Sequence, residues 1–361
     1  MSCKKNLILN MKKIIFLLFL IPLSTFGQNE KEINLPARHT VDFQYPSLTD
    51  GPYVFIKEDH FLKKSIKNGV VFSEKLGQDT FNTEYSPKPS TFNNVNKIVA
   101  LSDIHGQYDL LIKLLINNKI IDEDLFWIFG KGHFVVVGDI FDRGDKVNEV
   151  LWFLYDLEIQ AKKKGGFVHI LLGNHEYMVF QNDLRYIHSK YHKTPFLLGI
   201  EYKELYGKNT VIGKWLRSKP TIIKINDIMF THAGISREFF SSVNFDLDKI
   251  NRDMRESIDL SIDEMVSNNF YNIYFGEKSL TWYRGYYYHD MTDKQLNKLL
   301  DKIDAKHIVV GHSSSDNVLE LYDNIVYCVD SSMKLGEYGE ILLIKNNVFY
   351  RGTLSGKLIK L

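Results

Sequence analysis

Short clusters of Asp, His, Asn and Arg recur along the chain, and their types and spacing suit metal-assisted hydrolysis. Asp103 and His105 stand in Asp-Ile-His-Gly, and Asp139, Asp142 and Arg143 share Gly138-Asp-Ile-Phe-Asp-Arg-Gly144. Asn174 and His175 are adjacent, His232 follows Thr231, and His312 follows Gly311. These are oxygen and imidazole donors without a thiolate, a mixture that suits Mn, Fe or Zn rather than a structural zinc cage. One tetrahedral ion needs fewer donors than this, so two divalent ions are the economical reading. Two ions about 3.5–4 Å apart clamp the attacking and leaving oxygens of an in-line phosphoryl displacement.

The clusters follow apolar runs at 98–101, 134–137, 168–172, 228–230 and 307–310. Such runs read as buried strands. Amphipathic segments at 108–116 and 146–164 lie between the early ones and read as helices. Strands alternating with helices define an α/β fold, and ligands leaving the C-terminal ends of neighbouring strands converge at one sheet edge. Glycine stands beside nearly every cluster, as sharp turns and close approach to a ligand require. No clear strand appears at 177–219, which reads as a helical insertion (177–220). Beyond His312, turn residues at Asp323–Asn324 and Asn346–Asn347 predict hairpins.

Upstream, Lys12 and Lys13 precede an apolar run at 14–23, with small residues after it. That order reads as a secretory signal over 1–27, and the run is shorter than the roughly 20 residues of a membrane span. The mature chain is therefore expected in the periplasm or outside the cell, without a stable membrane span. Residues 28–96 read as a short β-rich N-terminal extension with strand-like runs at 53–56 and 69–72, closing in a linker at 86–96. The domain proper is expected over 97–361. Lys and Arg total 45 against 44 Asp and Glu, a formal charge of +1, which speaks against a nucleic-acid partner bound by a basic face. Cys3 precedes the apolar run, so the mature chain keeps Cys328 alone and has no intramolecular disulfide.

Taken in order, the motifs resemble those of the calcineurin-like metallophosphoesterases. The Asp-Arg-Gly ending at Gly144 and the triplet Asn174-His175-Glu176 are similar to the phosphoprotein phosphatase branch. Asn182-Asp183-Leu-Arg185-Tyr186, Trp282-Tyr283-Arg284-Gly285 and Val329-Asp330-Ser331-Ser332-Met333 resemble the Shewanella-like phosphatases. The resemblance implies a double β-sandwich flanked by helices. It implies that Asp103 and His105 hold one ion, that Asp139 bridges both, and that Asn174, His232 and His312 complete the second. It also implies His175 as general acid paired with Asp142, and Arg143 and Arg284 as phosphate-binding residues. The implied reaction is attack on a phosphomonoester by a hydroxide that two cations keep nucleophilic near neutral pH, on a phosphorylated protein or a small phosphoester.

Two departures stand out. Many metallophosphoesterases continue as Gly-His-x-His, whereas Ser313 and Ser314 follow His312 here, which weakens a phosphodiesterase reading. The C-terminal tyrosine motif of eukaryotic Ser/Thr phosphatases is not evident. A dinucleoside polyphosphate hydrolase shares the main motifs and is the rival activity. A non-catalytic metal-binding protein is the rival class, although binding alone needs no positioned acid. His188 and His192, four apart, read as a solvated helix face. His39, His60, His133, His169, His289 and His307 read as structural, and Cys328 as a strand residue.

Overall fold

The computed structural model describes residues 45–361. The signal expected at 1–27, the start of the extension and His39 lie outside the described residues.

In chain order the strands are β1 (Asp50–Ile56), β2 (Phe61–Lys67), β3 (Val70–Leu76), β4 (Thr91–Phe92), β5 (Lys97–Leu101), β6 (His133–Val136) and β7 (Phe167–Ile170). There follow β8 (Ile222–Ile225), β9 (Ile228–Thr231), β10 (His307–Val310), β11 (Leu319–Leu321), β12 (Val326–Cys328), β13 (Ile341–Lys345), β14 (Val348–Gly352) and β15 (Leu358–Lys360). Two six-stranded sheets result, ordered β15-β14-β13-β5-β6-β7 and β11-β12-β10-β9-β8-β4. The mixed α/β double sheet agrees with the expectation from the motifs.

Side-chain alternation explains why two sheets pair. Ile98 and Ala100 of β5, Val135 of β6 and Leu342 and Ile344 of β13 join Ile228 and Phe230 of β9 and Val309 of β10 in one buried cluster. Their strand neighbours Val99, Leu101, Phe134, Val136, Ile308 and Val310 belong to the other cluster, with the helices. Both faces of each strand are thus buried, which is why the runs read as continuously apolar. Helix α1 (Tyr108–Asn117) turns Leu111, Leu114 and Leu115 inward, and α2 (Val147–Lys163) does so with Val150, Leu151, Leu154 and Leu157. Truncating one such fully buried leucine to alanine costs about 2–5 kcal/mol.

Three details differ from the sequence reading. β7 stops at Ile170, because Leu172 N–H leaves the ladder to donate to the Pro220 carbonyl at 2.9 Å. Residues 86–96, expected as linker, contain β4, which pairs in parallel with β8 and puts Phe92 on the inter-sheet cluster. The charged stretch Phe61–Lys67 is a strand, because it half-exposes its lysines and buries Phe61 and Ile66.

Strands β1, β2 and β3 form a separate antiparallel sheet against α2, whose Trp152 Nε1 donates to the Pro52 carbonyl at 2.8 Å. Asp50 of β1 is buried, ion-paired with Lys190 at 2.9 Å and accepting from Thr194 Oγ1 at 2.6 Å. Between β7 and β8 the described structure is helical, with α3 (Asn174–Phe180) followed by helices at Lys190–Leu198, Tyr202–Leu205 and Val211–Arg217. No helix among the described residues is long and apolar enough to cross a membrane.

Candidate metal centre

Parallel pairing of β5 with β6 and β6 with β7 aligns three strand ends of one sheet. Parallel pairing of β9 with β10 does the same in the other. The loops that leave these ends carry Asp103 and His105, then Asp139, Asp142 and Arg143, then Asn174 and His175, then His232 and His312. The turns are tight enough that Asp103, His105, Asp139, Asp142, Arg143 and His312 all have φ between 45° and 72°. Left-handed backbone at non-glycine residues costs free energy and persists where the surroundings over-determine it, as at functional sites. Gly173 shows how close the loops come: a Cβ there would sit 2.3 Å from Asp139 Oδ1.

Asp139 is the shared member of two donor groups. Its Oδ2 lies 3.8 Å from His105 Nε2 and 3.8 Å from His175 Nε2 on one side, and 3.2 Å from His232 Nε2 on the other. Donor atoms of His105, Asp139 and His175 fall within 4.8 Å of one another, and so do those of Asp139, His232 and His312. Asp103 Oδ1 lies 3.8 Å from His105 Nε2, and Asn174 Oδ1 lies 3.0 Å from His232 Nε2. Three of these donors are fixed on their far sides. His105 Nδ1 is bonded to the Phe141 carbonyl at 2.6 Å and His232 Nδ1 to the Val137 carbonyl at 2.7 Å. Asp103 Oδ2 accepts from Ser102 Oγ and from the His312 backbone N–H. Bonds of this kind turn the remaining donor atom toward a metal.

The charges fit divalent cations. Burial, with Asp330 and Asp139 close by, pushes the Asp103 carboxyl well above the usual carboxylate range. Burial also drives His105 down to about 3, leaving it a neutral donor. Burial opposes charge on His232, but Asp139 outweighs it and raises the imidazole to about 10, so a proton and a cation compete for the same nitrogen. His312 Nε2 is buried without a hydrogen-bond partner, a costly arrangement for a polar atom that holds no cation.

His175 differs from the other imidazoles. Its Nδ1 is bonded to Asp142 Oδ2, its Nε2 lies 3.8 Å from Asp139 Oδ2, and the residue lines the cleft. Burial opposes its protonation, but the Asp139 and Asp142 carboxylates prevail and hold its pKa above the ordinary histidine value. Cations at the neighbouring ligands would pull the other way. Arg143 donates through Nε to His105 Nε2 at 3.3 Å, and its guanidinium lies 5.5 Å from the centre of the Tyr186 ring. Arg284 Nη1 donates to the His312 carbonyl and to Ser313 Oγ, both at 3.0 Å. Arg143 and Arg284 face the same cleft as Asp103, Asp139, Asn174 and His175.

Residues outside the motif-based assignment also serve the site. Buried Glu176 accepts backbone N–H bonds from Asp139, Ile140, Phe141 and Gly173. Its place in the triplet with Asn174 and His175 was the available signal. Tyr186, Trp282, Ser314 and Lys334 complete the cleft wall. Other described histidines lie elsewhere: His60 beside Asp59, His133 against His169, His307 on the Asn324 carbonyl and His289 against Tyr322. His188 precedes its helix and accepts from Lys190 N–H, so it and His192 share no helix face. Cys328 is buried in β12, its thiol pushed up by burial to about 12.

A double sheet whose strand ends gather shared acid and imidazole donors beside two guanidinium groups defines a metallophosphoesterase. The calcineurin-like phosphoesterase model matches residues 96–316, and the chain belongs to that family. It is a hydrolase of phosphoric monoesters. The cold-active protein-tyrosine phosphatase of a psychrophilic Shewanella sp. superimposes with TM-score 0.83 at 43% identity, over 87% of this chain and 99% of that one. Shewanella-like protein phosphatase 1 of Plasmodium berghei (strain Anka) is 29% identical over 290 residues, 76% of each protein. The symmetrical bis(5'-nucleosyl)-tetraphosphatase of Vibrio campbellii is 30% identical over 139 residues, 38% of this chain and 44% of that protein.

Proposed function

We propose that the protein is an exported phosphoprotein phosphatase that uses two divalent metal ions and favours phosphotyrosine. The observation that carries the two-ion reading is the position of Asp139, common to both donor groups. Asp103 and His105 would hold one ion, Asn174, His232 and His312 the other, with Asp139 between them. Bound there, Mn, Fe or Zn would supply a nucleophilic water at neutral pH and positive charge for the phosphoryl oxygens.

The chain's own groups do the rest. Arg143 and Arg284 present planar forks that bind and orient the phosphoryl oxygens. His175 Nε2 gives a proton to the departing ester oxygen, and Asp142 keeps the ring oriented through Nδ1. Tyr186, with its ring centre 5.4 Å from that of His175, and Trp282 supply aromatic walls where the leaving group departs. An aryl leaving group stacks on such walls better than an aliphatic one. The Shewanella enzyme, named a protein-tyrosine phosphatase, supports the same substrate class.

A panel of phosphotyrosine, phosphoserine and phosphothreonine peptides, p-nitrophenyl phosphate and diadenosine tetraphosphate tests this on purified protein, with metal content measured alongside. Phosphotyrosine peptides should turn over fastest with two metals per chain, whereas preference for the dinucleotide would overturn the reading in favour of a polyphosphate hydrolase. Export rests on the basic and apolar segment at 12–23. N-terminal sequencing should find a mature chain starting near Gln28 in the envelope or medium, and an intact leader in the cytoplasm would refute export.

A further inference from the structure

The cleft contains a third cation, Lys334, for which neither the ligand set nor the arginine pair gives a role. It stands on the one-turn helix Met333–Leu335, directly after the Asp330-Ser331-Ser332 stretch. The turn is fixed on several sides. Met333 is fully buried, Gln107 Nε2 donates to the Lys334 carbonyl at 3.1 Å, and Ser332 Oγ donates to the Ser315 carbonyl at 2.8 Å. Lys334 Nζ donates to Ser314 Oγ, which in turn donates to the buried Asp330 Oδ2 at 2.6 Å.

The serines after His312 therefore tether one cation each: Ser313 holds Arg284, and Ser314 holds Lys334. Ser314 occupies the place at which a Gly-His-x-His sequence carries its second imidazole. Here that place anchors a positive charge on the cleft wall. The Asp330 carboxylate feels the charge of Lys334 from one hydrogen bond further on, but the ammonium itself is bonded to a hydroxyl, which leaves it donors for a ligand. An ammonium has three donors, so two remain after Ser314 is served.

We propose that Lys334 is a substrate-binding residue that selects phosphomonoester dianions over phosphodiester monoanions, with Ser314 as its positioning residue. The inference rests on the monoester reading of this site. A monoester carries about −1.5 to −2 near pH 7, because its second ionisation lies near 6. A diester carries a single charge and has one fewer free oxygen. A third fixed cation beside Arg143 and Arg284 therefore adds more to monoester binding than to diester binding. Lysine acts on phosphate as a point charge, whereas the arginines fix orientation.

The test compares wild type with Lys334→Gln, Lys334→Arg and Ser314→Ala on p-nitrophenyl phosphate and bis(p-nitrophenyl) phosphate, which share a leaving group. Lys334→Gln should lower monoester kcat/KM by about 10–100-fold, mainly through KM, the range expected for one charged hydrogen bond. The monoester-to-diester ratio should fall at least about tenfold, Lys334→Arg should restore most of it, and Ser314→Ala should move it less but in the same direction. Inorganic phosphate should raise the melting temperature of Lys334→Gln less than that of wild type, a readout independent of turnover. An unaltered ratio, whether both activities fall together or neither falls, would overturn the role of Lys334. Wild type that cleaves the diester but not the monoester would instead refute the monoester reading itself.

Discussion

The carboxylate of Glu176 accepts the backbone N–H of Asp139 at 2.9 Å, so the residue two places after Asn174 sets the backbone of the carboxylate both donor groups share. The same carboxylate takes N–H bonds from Ile140 and Gly173, which ties the β6 and β7 loops together. Glu176→Gln replaces one acceptor oxygen with a donor that faces backbone N–H groups. It should lower stability by about 1–3 kcal/mol and weaken metal affinity about 10–100-fold. Thermal melts and metal titration read these separately, and wild-type values in both would show the loops to be held by other means.

Asp139→Asn should be the most damaging ligand substitution. The amide keeps the shape but removes the charge that faces His105, His175 and His232. Elemental analysis should find fewer than two metals per chain, with turnover abolished. Two metals retained at near-normal turnover would exclude a shared ligand.

His175→Asn should separate proton donation from metal binding. With Nδ1 held by Asp142, the imidazole is oriented for transfer through Nε2. The variant should keep its metals and lose about 10²–10⁴-fold in turnover on an alkyl phosphate. It should lose much less on p-nitrophenyl phosphate, whose leaving group departs as an anion. Equal loss on both esters, or loss of metal, would make His175 a ligand.

Chelation should stop activity reversibly. Without cations, the buried Asp103 and Asp139 carboxylates oppose each other's charge and His312 Nε2 has no partner. Dialysis against EDTA should abolish turnover and lower the melting temperature, and added Mn, Fe or Zn should restore both. Full activity in metal-free protein would exclude the proposed centre.

Acid should loosen the far end of the sheet before it unfolds the rest. His133 and His169 lie 2.9 Å apart on β6 and β7, and burial lowers both, His133 to about 4. Between pH 6.5 and about 4 the unfolded chain takes up protons that the folded pair refuses. Stability therefore falls as pH drops through that window, by at most about 1.4 kcal/mol per pH unit per histidine. Denaturant melts of wild type and His169→Phe should diverge with this sign, the variant losing less on acidification. Identical slopes would remove the pair from the acid response.

The chain by itself determined the strand runs that lead into the candidate donors, because burial on both faces makes them uniformly apolar and their ends are marked by glycine and metal-capable residues. It also determined the donor types, since oxygen and imidazole without thiolate restrict the metals and the chemistry. Elements that hide their pattern were not legible. Phe61–Lys67 looks charged because its lysines are only half-buried, and Thr91–Phe92 is too short for any period. Function spread across distant segments was equally hidden. Glu176 stands in a legible triplet, but the backbone groups it holds carry no sequence signal, and Lys334 meets Ser314 only because β12 pairs with β10 and brings their following loops side by side. Spacing along a chain fixes which residues share a turn or a strand end. Which loops face one another, and which of two histidine nitrogens is left free for a ligand, is decided by sheet pairing and side-chain packing across the whole fold.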